Sequence, residues 1–327
     1  MQGNKKTAII TGINGQDGSY LAELLLSKNY TVVGTLKRNS VAENQTSRIS
    51  QLRDTNKVTL VYADMTDFSS LVRVIQKYKP DEVYNLAAQS HVRISFDQPV
   101  YTTNVVAIGT LNLLEAIKLI KPSAKIYQAS SSEMFGNSID PDGFQRETTP
   151  MTPVSPYGCS KVFAYNICNN YKNSYGMFIS NGILFNHESP RRGTNFVTNK
   201  VVKAAVEIKK GFSDALPMGN LQATRDWGHA KDYVEAMWRI LQHDTPDNFV
   251  CSTGISHSVQ NLIEYVFGKL GLDWSEYITQ DERFLRPEEL KDLKGDSSKL
   301  RNTLNWKPNY TFETMLDEMI EFWLNER

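Results

Sequence analysis

Cysteine is scarce in this chain. Three residues occur, Cys159, Cys168 and Cys251, none in a Cys-x-x-Cys pair. So odd and scattered a set excludes a disulfide framework and a thiolate zinc site, and it suits a reducing compartment. Net charge is missing as well: Lys and Arg number 36, Asp and Glu 36, so no overall field draws the chain to nucleic acid or an anionic membrane, and any anion site must be local. No uninterrupted apolar run reaches membrane-spanning length, and Met1-Gln2-Gly3-Asn4-Lys5-Lys6 leads straight into a strand-like stretch. Neither membrane insertion nor secretion is therefore expected, and a cytoplasmic location is. Repeats, low-complexity tracts and a flexible linker are lacking too, so the two halves are expected to share one rigid cleft for a small partner.

What is present is a chain of 327 residues, 40% hydrophobic, enough for a full core. Short β-branched runs alternate with segments of helical period through the first half. Strands are expected at Thr7 to Thr11, Thr31 to Leu36, Val58 to Tyr62, Glu82 to Leu86, Lys125 to Ala129 and Met177 to Leu184. Helices are expected at Tyr20 to Lys28, Ser69 to Lys77, Val105 to Ile120 and Tyr157 to Tyr175. This is the pattern of an α/β fold with a doubly wound parallel sheet. After about Asn186 the alternation gives way to irregular segments, which read as a smaller α/β cap over the substrate. The expected division is a Rossmann domain over 1–185, receiving parts of 226–255, and a cap formed mainly by 186–327.

Directly after the first strand comes Gly12-Ile13-Asn14-Gly15-Gln16-Asp17-Gly18, followed by a helical stretch. Glycines at that spacing leave no Cβ between the backbone and a pyrophosphate, and the helix start offers free N–H groups to the anion. The second strand ends Thr35-Leu36-Lys37-Arg38-Asn39-Ser40. A carboxylate there would bind a free ribose and repel a 2′-phosphate. None is present, so Arg38, helped by Lys37 or Ser40, is expected to receive that phosphate, and NADP is preferred over NAD. Asp64, after the third strand, is a candidate adenine contact, though loop aspartates are commonly turn residues.

Tyr157-Gly158-Cys159-Ser160-Lys161 puts a phenol and an ammonium one turn apart on one helix face. Tyrosine at its ordinary value of about 10 is a poor base, each unit of depression being worth roughly 1.4 kcal/mol, and the lysine is expected to supply that depression. Among 15 tyrosines about one such spacing arises by chance, so surroundings decide. Tyr265-Val266-Phe267-Gly268-Lys269 has the same spacing without a preceding strand that ends in polar residues, and it reads as structural. Before Tyr157 such a strand does exist, ending Ser130-Ser131-Ser132-Glu133. An alcohol dehydrogenase needs Ser, Tyr and Lys. Removing water from a ketone also needs an acid/base group, and Glu133 is placed for it, its other reading being a turn carboxylate.

These motifs together resemble the extended short-chain dehydrogenase/reductase family over nearly the whole chain. Thr11 to Leu21, Asn186-His187-Glu188-Ser189-Pro190-Arg191-Arg192-Gly193 and Arg225-Asp226-Trp227-Gly228-His229-Ala230-Lys231-Asp232-Tyr233 look like its GDP-mannose 4,6-dehydratase branch. The resemblance implies an internal hydride cycle on tightly held NADP. Tyr157 would act on the hydroxyl of sugar carbon 4, Glu133 on carbons 5 and 6, Ser131 would orient the substrate with help from Ser132, and Lys161 would hold the nicotinamide ribose. It further implies cofactor contacts at Gly12, Gly15, Gln16, Asp17, Gly18, Arg38, Asp64 and Leu86, and substrate contacts at Ser90, Asn186, Lys200, Arg225, Arg286 and Glu289. A homodimer or homotetramer is implied too. No metal is expected, since His187 and His229 lack ligand spacing. Position 131 holds serine where the family often has threonine, which keeps the hydroxyl. The stretch from Lys37 to Arg48, which in relatives joins cofactor sites across a tetramer, is less basic and longer here, and Trp274 to Gln280 is shorter. A dehydratase of another GDP-sugar such as GDP-manno-heptose, and a 4-keto reductase or bifunctional enzyme of the same fold, remain open.

Overall fold

In strand β1 (Thr7–Thr11) successive side chains face opposite ways, so Ala8 and Ile10 enter one apolar cluster and Ile9 another. The computed structural model describes residues 5–38, 47–55, 57–281, 288, 290 and 292–326, and it repeats that division across a seven-stranded sheet. Besides β1 the sheet contains β2 (Thr31–Leu36), β3 (Thr59–Tyr62), β4 (Glu82–Asn85), β5 (Lys125–Ser131), β6 (Ile179–Leu184) and a strand at Asn248–Cys251. Their spatial order is Asn248–Cys251, β6, β5, β4, β1, β2, β3, and every pairing is parallel. Helices α1 (Gln16–Ser27) and α6 (Ala230–Gln242) cover one face through Leu21, Leu25, Met237 and Ile240. Helices α2 (Phe68–Tyr78), α3 (Pro99–Ile120) and α4 (Pro156–Tyr175) cover the other through Leu71, Leu113, Ile117 and Cys168.

Local signals explain the helix ends. Ser155 caps α4 by accepting the Gly158 N–H at 3.0 Å, Pro156 stands at its first turn, and Gly176 ends it at φ +66°. Two helices begin a turn or more before their expected starts. The first starts at Gln16 instead of Tyr20, because the glycine turn is itself the helix entry. The third starts at Pro99 instead of Val105 and passes through a π turn at Asn104–Ile108. That helix also corrects the expectation about apolar runs: its 22 residues are long and apolar enough to cross a membrane. Here half of its most apolar stretch is buried against protein, since Val105, Leu113 and Ile117 fill the core beside α2.

The second half builds its own core. Helices α5 (Val197–Lys209), α7 (Val259–Lys269) and α8 (Phe312–Asn325) pack Val202, Leu262, Ile263 and Leu316 around Trp227. Strand β7 (Asn186–Glu188) follows β6 after a single residue and pairs with Thr224–His229. The chain thus steps from the large sheet straight into the second unit, and the cleft opens at that step.

Helix α8 is tied down by charge as well as by apolar packing. The Glu318 carboxylate lies 3.1 Å from His229 Nε2 and 2.8 Å from Lys231 Nζ. The His229 contact foremost, against the pull of burial, holds Glu318 down from an ordinary 4.5 to about 2. A depressed carboxylate stabilises above its ordinary value and loses that contribution as pH falls through its folded value. The stability gap between the wild type and Glu318→Gln is therefore expected to close between pH 4.5 and 2, as read by urea unfolding at stepped pH.

Candidate active site

The turn after β1 has no room for side chains. Gly12 adopts φ +69°, and the Gly15 N–H closes the turn on its carbonyl at 3.0 Å. A Cβ on Gly18 would stand 2.5 Å from the Gly12 oxygen and 2.6 Å from Ile13 Cα. Only glycine lets the helix start lie so close to the strand end. Gly12, Gly15, Gln16, Asp17 and Gly18 all line one cavity of about 840 Å³, a volume suited to small-molecule recognition. A helix amino end behind such a turn is the kind of place that can hold a pyrophosphate.

The facing wall comes from β5 and α4. Strand β5 ends in Ser131, and a single turn at Ser132–Met134 brings Glu133 to the cavity, 7% exposed. The Glu133 N–H donates to Ser131 Oγ at 3.3 Å. Helix α4 adds Tyr157 and Lys161 to the lining, 7% and 5% exposed. Burial pushes the Tyr157 phenol up to about 12, a hydrogen bond from Ser131 opposing the rise and the Glu133 charge reinforcing it. Burial lowers Lys161 to about 8. The expected depression of the phenol by this lysine is not what the geometry gives. Lys161 Nζ lies 5.7 Å from the Tyr157 ring centre and donates to the Ala129 carbonyl at 2.6 Å, so desolvation dominates the phenol.

Asp64, Leu86, Ser90, Asn186, Lys200 and Arg225 also line the cavity. Lys200 donates to the Pro217 carbonyl, and Arg225 to the carbonyls of Thr224 and Leu290. At the end of β2 the roles differ from expectation. Lys37 faces the cavity, donating to the Tyr101 hydroxyl at 3.0 Å beside Asp64 at 3.5 Å. Arg38 stands outside the lining, exposed, with its guanidinium 5.6 Å from the Tyr62 ring centre. Successive residues leaving a strand point opposite ways, so one of the pair turns in. Ser40, Arg286 and Glu289 lie outside the described residues.

Residues 9–319 match the family model of GDP-mannose 4,6 dehydratase. The chain is 51% identical to GDP-mannose 4,6 dehydratase 2 of Arabidopsis thaliana over 327 residues, 97% of this chain and 86% of that protein. It is 46% identical to the human GDP-mannose 4,6 dehydratase, over 97% of this chain and 91% of that one. The chain belongs to the GDP-mannose 4,6-dehydratase family. The fold extends further: dTDP-glucose 4,6-dehydratase from Bacillus anthracis, solved in complex with NAD, superposes with a TM-score of 0.84 at 23% identity, covering 97% of this chain and 96% of that one.

This family member places in the cavity wall several side chains that were not singled out from the sequence. Arg192 enters it, its Nε 3.0 Å from the buried Glu188 carboxylate and its guanidinium 3.6 Å over the Phe196 ring. Asn199 secures that segment, donating to the Arg192 carbonyl and accepting from the Trp323 indole, both at 2.6 Å. All of these lie in or beside the Asn186 to Gly193 string, yet an irregular segment has no periodicity to show which side chain turns inward. The Tyr265 and Lys269 pair lies outside the lining, and both side chains bond Asp317 instead. The tightness of the first turn is testable. Gly18→Ala is expected to cost about 1–3 kcal/mol of stability through forced backbone movement, and unchanged denaturant midpoints would show the turn to be looser.

Proposed function

We propose that this chain is an NADP-dependent GDP-mannose 4,6-dehydratase, a carbon–oxygen lyase yielding GDP-4-keto-6-deoxymannose without net oxidation. The observation that carries the reading is the joint presence of Ser131, Glu133, Tyr157 and Lys161 in the lining of the cavity that the glycine turn also lines, in a member of this family. The residues fit NADP. Gly12, Gly15, Gln16, Asp17 and Gly18 would hold the pyrophosphate at the start of α1, in a turn so tight that a Cβ on Gly12 or Gly18 would press into neighbouring backbone. The last residues of β2 carry no carboxylate, and Lys37 follows them in the lining with Arg38 beside it, the Lys37 ammonium offsetting the Asp64 carboxylate 3.5 Å away. Asp64 and Leu86 would border the adenosine and Lys161 the nicotinamide ribose. When bound, NADP would supply reversible hydride acceptance for the sugar.

The protein's part is proton handling. Tyr157 takes the proton from the carbon 4 hydroxyl, which Ser131 orients and Ser132 supports. A phenol near 12 yields a base only where positive charge offsets burial; Lys161, which here bonds the Ala129 carbonyl, would provide it only on turning toward the phenol when substrate and cofactor are bound. The ketone at carbon 4 acidifies the hydrogen on carbon 5, which Glu133 removes. The same carboxyl then protonates the departing carbon 6 hydroxyl, and water leaves; when carbon 6 is reduced, carbon 5 regains a proton, supplied by the one that Tyr157 took from the carbon 4 hydroxyl. Ser90, Asn186, Lys200 and Arg225, with Arg286 and Glu289, hold the GDP-sugar, the cations on its pyrophosphate.

Exposed apolar side chains on the adjacent helices α3 and α4, Ile108 and Phe163 among them, support assembly into a homodimer or homotetramer. The three free thiols suit the cytoplasm.

Incubation with GDP-mannose and catalytic NADP is expected to yield a product lighter by one water, seen by mass spectrometry, without stoichiometric NADPH. Turnover of GDP-manno-heptose alone would move the sugar assignment, and consumption of added NADPH would point to a reductase. Glu133→Gln is expected to slow dehydration by about 10²–10⁴-fold while cofactor is retained; turnover at the wild-type rate would remove Glu133 from the proton transfers. Tyr157→Phe is expected to stop the first oxidation as well, so that carbon 4 hydride transfer disappears in single-turnover absorbance.

A further inference from the structure

One buried histidine borders the cavity without any part in the chemistry above. His187 is 8% exposed and lines the cavity from β7. Its Nδ1 lies 2.8 Å from the Phe185 carbonyl and its Nε2 2.8 Å from Asp17 Oδ2. A carbonyl only accepts, so Nδ1 carries a proton. At Nε2 the proton belongs either to the ring or to the carboxyl group. Asp17 Oδ1 accepts from the Gln16 amide at 3.0 Å, a bond that favours the ionised carboxylate. That amide is itself held in one orientation, donating to the His187 carbonyl at 3.1 Å and accepting from Ser189 at 2.8 Å. With the carboxylate ionised, both nitrogens of the ring donate and the ring is an imidazolium.

We propose that His187 is a charged positioning residue: its imidazolium neutralises Asp17 and locks the glycine turn to the strand that carries Asn186. The lock is physical, because Gln16 and Asp17 belong to the first turn of α1 while His187 and Ser189 belong to the segment beginning at β7. Neutralisation matters because Asp17 acts on the opposite wall. Its negative charge raises the proton affinity of both Tyr157 and Lys161. An uncompensated carboxylate there would make the phenolate harder to form; the imidazolium cancels most of that field at its source.

The surrounding groups are consistent with a charged pair. Burial works against the imidazolium, and Asp17 overcomes it, so His187 titrates above its ordinary value. Burial likewise works against the carboxylate, and His187 overcomes it, so Asp17 titrates below its own. From the 188–193 segment Arg192 opposes the histidine charge and supports the carboxylate, its own charge being met by Glu188. From α6 the Tyr233 ring stacks on the imidazole at 4.5 Å. Tyr127 from β5 and Cys251 complete the titratable neighbours of Asp17 and are pushed toward their neutral forms by burial. As pH rises through the raised histidine value the ring loses its charge, and with it the compensation of Asp17.

The charge itself is tested without turnover. In nitrogen-15 spectra of imidazole-labelled protein, the His187 signals, assigned by their loss in His187→Asn or their displacement in Asp17→Asn, are expected to report two N–H groups at pH 7, above the ordinary histidine value of 6.5. A neutral ring with one bare nitrogen at pH 7 would overturn the proposal. The effect on Tyr157 rests on the proposed dehydratase chemistry. His187→Asn is expected to move the acid limb of the pH–rate profile upward by about half a unit or more, the scale of an unshielded charge nearby. Asp17→Asn in the same chain is expected to bring the limb back, whereas loss of mere packing would not be reversed by a second substitution. An unmoved limb in a folded His187→Asn protein removes the shielding role, and absence of turnover of both GDP-mannose and GDP-manno-heptose by the wild type sinks the dehydratase reading while the spectra still decide the charge.

Discussion

Parallelism of the strands is the constraint on which the site depends. Because β1, β4, β5 and β6 run the same way in register, Thr11 lies beside Asn85, Asn85 beside Gln128, and Ser131 beside Leu184. Every carboxyl end therefore reaches one edge of the sheet, and each strand delivers its next residues there. From β1 come the glycine turn and Asp17, from β4 Leu86 and Ser90, from β5 Ser131 and Glu133, and from β6 the step into Asn186 and His187. Residues far apart in the chain meet without a long loop having to be ordered.

The same edge is covered by the second unit, and burial then governs the electrostatics. Tyr157 and Lys161 are each pushed toward their neutral forms, in opposite directions on the pH scale. Each local charge therefore counts for more than it would in water. Asp17 with His187 and Glu188 with Arg192 are paired within about 3 Å, since an isolated ion at such depth is costly. The first pair joins the 186–193 segment to the glycine turn, and the second braces the segment internally.

Much of the architecture was legible because its signals are local. Glycine spacing after a strand, Ser155-Pro156 at a helix start and Gly176 at its end are each decided by a few adjacent atoms. The six expected strands all appear in the large sheet within two residues of their expected ends. The seventh, Asn248–Cys251, enters beside β6 from more than sixty positions later, and a short apolar run cannot announce its partner. The early start of α3 was hidden by Thr102, Thr103 and Asn104, residues of weak helix propensity that packing against α4 carries through a π turn.

The amino-acid sequence by itself determined the alternation of strands and helices, the Cβ-free turn, and the candidate set Ser131, Glu133, Tyr157 and Lys161, because period, cap and motif act over a few residues. Tertiary structure alone decided which of Lys37 and Arg38 turns inward, that Lys161 bonds the Ala129 carbonyl, and that His187 faces Asp17 across 170 positions. Such outcomes depend on distances between elements that only the closed fold brings together, and on a desolvation that no isolated segment experiences.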